Sequence, residues 1–120
     1  MAKSYLPLFR PGDTVTFGVT TAVTAGSPVE VGTADMTVAP AAAASAKVVG
    51  VAGHDAAVGD KVTVETGKVI HELTASGAIT RGQRLEAAGA GKVRTLAAGT
   101  AVYLALTSAV DGAAVRAIQL

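Results

Sequence analysis

The sequence predicts an all-β protein: a small β-sandwich or β-barrel built from two similar halves, preceded by an extended N-terminal arm. Three observations carry this. Short runs of Val, Thr and Ile alternate with polar residues at period two; Gly, Pro or Asp breaks those runs every ~8 to 12 residues; and one half of the text reappears, in order, in the other. Taken along the chain, the runs are "DTVTFGV", "SPVEV", "MTVAP", "AKVVGVA", "DKVTVE", "KVIHEL", "QRLEA", "KVRTLA", "AVYLALT" and "AAVRAIQ". The competing helical signal is "APAAAASAK", Ala39 to Lys47, where alanine propensity is high but the stretch is short and Pro40 blocks an interior position. It allows at most a turn of helix or a crossing loop.

The turns have their own chemistry. "PGDTVTF", Pro11 to Phe17, returns almost unchanged as "VGDKVTV", Val58 to Val64. Glycine accepts positive φ and aspartate hydrogen-bonds the nearby backbone, so both stretches set up strands. The wider repeat aligns "AVTAGSPVEV" from Ala22 with "AITRGQRLEA" from Ala78, "MTVAP" with "KVRTL", "AKVVGVA" with "AVYLALT", and "VGDKVTVE" with "DGAAVRAI". The separation shrinks from 56 residues (Ala22 to Ala78) to 53 (Val58 to Asp111), which places the lost residues in connections, where length changes cost least. The expected organisation is an arm at 1–11 and a single β domain at 12–120, with the repeat at about 22–65 and 78–118. Each half, read as about four strands, leaves an apolar face that stacking the halves would bury.

Composition narrows the function. The apolar half of the chain is mostly Ala and Val, with two Phe, two Tyr and no Trp, so the core is expected to be thin. Ten Lys and Arg stand singly against nine Asp and Glu, a pattern without the basic stripe that nucleic acid requires. Cysteine is absent, which excludes disulfides and thiolate metal sites. The smoothest apolar stretch, Val38 to Ala46, is too short to span a bilayer, and "MAKSYLPLFRPG" lacks the apolar run of a signal peptide. The expectation is a protein with no nucleic-acid or membrane partner and no cofactor.

Candidate chemistry is sparse. His54-Asp55 and His71-Glu72 pair imidazole with carboxylate, but neighbours on a strand face opposite ways, so a metal site would need both histidines to converge. Ser76 in "TASGA" has no evident base, and there is no Gly-x-Ser-x-Gly. "AGAGKV" has Glu86 five positions before Gly91 and Val93 where a magnesium-binding hydroxyl belongs; "VGDKV" sets Asp60 between glycine and Lys61. Both read as turns. The local anomaly is the arm, "KSYLPLFRPG", whose prolines keep it extended while Tyr5, Leu6, Leu8, Phe9 and Arg10 offer apolar and cationic contacts. Such a segment either adds to a neighbour's sheet edge or closes one end of its own core.

Across nearly its whole length, in "PGDTVTF", "AVTAGSPVEV", "AASAKVVGVAGHDAAVGDKVTV", "LTASGAITRGQRL" and "GKV", the chain resembles the small cement or decoration proteins that coat the heads of tailed bacteriophages. The resemblance implies a β-rich, non-enzymatic structural protein of the virion, made in the bacterial host cytoplasm. It would bind the outer capsid surface at junctions between major capsid protein subunits and stabilise the shell. It also implies self-association, as a homotrimer with a dimer as the alternative, and brings no catalytic residues. The arm residues Tyr5, Leu6, Leu8, Phe9 and Arg10 are the expected capsid or inter-subunit contacts. The competing reading is a small-molecule or carbohydrate-binding β-barrel framed by the two halves, against which the lack of Trp argues.

Overall fold

A computed structural model describes residues 14–120. The arm, with the Tyr5 to Arg10 contacts expected of it, lies outside the described residues. Among those described there are ten strands and no helix: β1 Thr14–Val19, β2 Pro28–Val31, β3 Thr37–Pro40, β4 Val48–Ala52, β5 Lys61–Glu65, β6 Ile70–Ala75, β7 Arg84–Gly89, β8 Lys92–Thr95, β9 Tyr103–Ala105 and β10 Ala114–Gln119. All ten fall on the alternating runs, and the all-β class holds. The alanine run, residues 41–47, is a crossing loop.

The strands form two closed barrels, in the order β1-β3-β2-β4-β5 and β10-β6-β8-β7-β9. These are the same cyclic arrangement, five strands apart. In each, the first strand pairs parallel with the third and antiparallel with the fifth, as in Gly18↔Thr37 and Phe17↔Val62, or Thr74↔Lys92 and Leu73↔Val115. Closure leaves no free sheet edge, and edges are what invite unwanted strand pairing.

Each half buries its own apolar face, where stacking of two open halves was expected. The reason lies in β1 and β6: both precede the text that repeats, and each adds the fifth strand that closes a barrel. Val19, Val23, Val29, Val38, Ala52, Val62 and Val64 fill the first interior. Leu73, Ala75, Ile79, Leu85, Val93, Tyr103, Ala105, Val115 and Ala117 fill the second. Alternation does the sorting: in β5, Val62 and Val64 are buried while Lys61, Thr63 and Glu65 face outward. Barrel width grows with strand number, and interiors of small barrels are filled by side chains. Five strands leave a narrow interior: the first holds only Val and Ala among its buried residues, and the second adds Leu73, Ile79, Leu85 and a single aromatic ring, Tyr103. Each fully buried Val or Leu contributes about 1.5–3 kcal/mol.

The registers correct one block of the sequence alignment. Glu30↔Ala39 and Val31↔Val38 on the first hairpin match Glu86↔Arg94 and Ala87↔Val93 on the second. Val38 thus corresponds to Val93, both buried, whereas aligning "MTVAP" with "KVRTL" sets Val38 against the outward Arg94. The first hairpin has one extra residue, and a one-residue slip exchanges the faces of a strand.

The barrels touch through small residues. Ala44 N–H donates to Ala87 O at 2.8 Å, and a Cβ on Gly99 would stand 2.8 Å from Ala44 Cα. Val51 of β4 is buried with the second core.

Candidate functional site

The most constrained polar group among the described residues is Glu86. It sits on β7 opposite Arg94, flanked by buried Leu85 and Ala87 and just before the bulge where the β7–β8 register shifts between Ala87 and Gly89, and its side chain is wholly buried. Its Oε2 accepts from Arg94 Nε and Nη2 at 2.9 and 2.7 Å. Its Oε1 accepts from the Ala97 and Gly99 N–H groups at 2.7 and 3.0 Å. The Ala97 N–H, the Arg94 guanidinium and the Gly99 N–H together hold this carboxyl below the ordinary carboxylate value.

Glu30 does the same work in the first barrel with weaker partners. Its Oε1 accepts from Ala42 N–H at 2.9 Å and Lys47 Nζ lies 3.8 Å from its Oε2. The Ala42 N–H first, then Ser45 and Lys47, lower its pKa against a partial desolvation. Each glutamate therefore pins the connection between the third and fourth strands of its barrel, and those connections, 41–47 and 96–102, are where the barrels meet. The charges serve architecture.

The histidines do not converge. His54, in the β4–β5 loop of the first barrel, contacts Asp55 O through Nδ1 at 2.9 Å and accepts the Thr63 N–H at Nε2, 3.2 Å away. His71, on β6 of the second barrel, meets Gln119 Oε1 at 3.1 Å and stands edge-on to Tyr103, ring centroids 6.3 Å apart. Among the described residues no group of three His, Asp or Glu side chains could hold a metal. Ser76 follows β6 in a loop, its N–H bonded to Val93 O. "AGAGKV" is the β7–β8 turn, with Gly89, Ala90 and Gly91 all at positive φ, and Gly59 makes the turn before β5. Tyr103 is buried with its hydroxyl unpartnered among the described residues, and desolvation raises its pKa well above the usual tyrosine range.

Neither lumen can take a ligand, because Val29, Val38, Val62 and Val64 in one, and Leu85, Val93, Tyr103 and Val115 in the other, are fully enclosed. A cleft between the barrels is lined by Val48, Val49, Val102 and Leu120, with Thr100 and Gln119 supplying its side-chain polar groups. On the exterior, Val31, Met36, Val58, Ile70, Leu106, Val110 and Leu120 expose apolar surface. Sequence reasoning missed Glu86 and Glu30; the signal available was one glutamate at the same place in "SPVEV" and "QRLEA".

The chain matches the model of the phage cement protein family over residues 9–120 and belongs to that family, whose members are virion structural proteins of bacteriophages. Among solved structures it is similar to the head fiber gp8.5 N base of bacteriophage phi29, at 19% identity with a TM-score of 0.69, covering 89% of this chain and 92% of that one. At that identity the likeness concerns the fold. A comparison with curated proteins finds no match.

Proposed function

We propose that this protein is a phage head decoration protein that binds the outer surface of the assembled capsid at junctions between major capsid protein subunits and stabilises the shell, without enzymatic activity. The observation that carries the reading is the family match, which runs through both barrels and into the arm. The double-barrel fold shared with a phage head fiber base is consistent with it.

The physics agrees. A module with two narrow cores gains stability from any partner that binds only its folded form. Many copies, each burying a standard interface of about 1,600 Å², can reinforce a lattice with no chemistry. A net charge of +1 keeps repulsion between identical neighbours small. The arm at residues 1–11, through Tyr5, Leu6, Leu8, Phe9 and Arg10, supplies capsid or inter-subunit contact, and the protein acts as a homotrimer.

The test is co-sedimentation of purified protein with undecorated heads. Saturable binding at a fixed ratio to the major capsid protein supports the proposal; no binding at micromolar protein rejects it.

A further inference from the structure

The contact between the barrels is one-way. The β7–β8 hairpin of the second barrel lies against the first: Gly91 would place a Cβ 2.7 Å from Ser27 Oγ, Gly89 faces Ala43, and Ala90 and Gly91 line a cleft with Thr24, Ser27 and Pro40. The equivalent hairpin of the first barrel, Val31 to Met36, carries two apolar side chains that stay about half exposed, Val31 at 47% and Met36 at 53%. Met36 also holds a left-handed φ of 52° at the last position of the turn before β3. The counterpart of the docking face is likewise open: Thr80 and Gln83 of the second barrel correspond to Thr24 and Ser27, and both are exposed. A contact of this heterologous type, made once inside the chain, leaves one unused half at each end.

Charge selects the partner. The first barrel carries Glu30, Asp35, Asp55, Asp60 and Glu65 against Lys47 and Lys61; the second carries Arg81, Arg84, Lys92, Arg94 and Arg116 against Glu72, Glu86 and Asp111. Locally the match is sharper. Asp35 is exposed on the free hairpin, and exposed Arg81 and Arg84 flank the open face.

We propose that the β2–β3 hairpin of one copy, through Val31, Asp35 and Met36, seats on the face of a second copy formed by Thr80, Arg81, Gln83 and Arg84. The proposal rests on the self-association read above and names its surface. The new contact is looser than the internal one, because Met36 stands where Gly91 does and Gln83 where Ser27 does. The methionine fills the wider gap, and opposite charges fix register.

The chain has no cysteine, so single-cysteine variants give a clean test. Met36→Cys protein is mixed with Gln83→Cys protein under mild oxidation. A disulfide joining the two variants, several-fold above either variant alone, is expected. Asp35→Arg is expected to weaken self-association about tenfold, and Arg81→Asp with Arg84→Asp in the same chain to restore it. Sedimentation equilibrium reads the association directly. A monomer at all concentrations overturns both the proposal and the self-association reading. An oligomer with no mixed disulfide and no charge-swap rescue overturns the proposal alone. Mixed disulfide and rescue in a protein that ignores heads support this interface while rejecting the decoration role.

Discussion

Glu86 holds Arg94 through two N–H···O bonds to one carboxylate oxygen, and spends the other on the Ala97 and Gly99 amides. One buried side chain thereby ties β7 to β8 and to the loop that meets the first barrel. Removing one partner of a buried pair strands the other: Arg94→Gln leaves the wholly buried Glu86 carboxylate without its counter-charge, whereas Glu86→Gln keeps an amide oxygen for the loop N–H groups and strands only a part-exposed guanidinium, so Arg94→Gln is expected to destabilise the protein more. Chemical denaturation of the two variants checks the order.

Acid should act through the same groups. Both Glu86 and Glu30 titrate below the ordinary value of 4.5 in the folded chain. A depressed folded pKa contributes stability that is fully present above the unfolded value and is lost as pH falls through the folded one. The melting temperature is therefore expected to be flat near neutrality and to drop below about pH 4.5. In Glu30→Gln, Glu86→Gln protein the drop should be shallower, read by thermal melts across pH 3–7.

Tyr103 fills the second barrel while its hydroxyl lacks a partner. An unsatisfied buried hydroxyl costs about 1–3 kcal/mol. Tyr103→Phe is expected to leave stability unchanged or raise it by about 1 kcal/mol, whereas Tyr103→Ala should cost about 3–5 kcal/mol. Urea midpoints at constant m-value distinguish these outcomes.

At the barrel seam, Gly99 has no room for a side chain because Ala44 Cα, Cβ and O crowd the position. Gly99→Ala is expected to cost about 1–3 kcal/mol and to speed hydrogen exchange at the Ala44 amide. Ala44 itself sits at φ 60°, a conformation glycine adopts freely. Ala44→Gly removes the Cβ contact but leaves the Cα and O contacts, so it should rescue Gly99→Ala only in part, and a double-mutant cycle measures the coupling.

Deleting residues 1–10 separates two roles for the arm. Weaker attachment to heads with an unchanged melting temperature is expected; equal loss of both would make the arm a plug for the protein's own core.

Much of this fold is legible in the sequence, because the barrels run on period-two alternation. "DKVTVE" and "AAVRAIQ" announce which residues face inward, and Val62, Val64, Val115 and Ala117 do. Three features are not legible. Closure of each half depends on β1 and β6, whose text, "TVTFGV" and "IHELTA", shares little between the halves because only the pattern of inward positions is constrained. The burial of Glu86 is hidden because charge spacing says nothing of depth; Arg94 is adjacent only across the hairpin. The proposed contact surface is the least legible part: an exposed Met36 becomes informative only beside the docked hairpin it parallels.

The decoration role is tested most directly by heating DNA-filled heads that lack their own decoration protein, with and without this one, and following genome release. Release at a higher temperature is expected when the protein is bound, with the gain saturating at the binding ratio. Release at the same temperature with the protein demonstrably bound would contradict it.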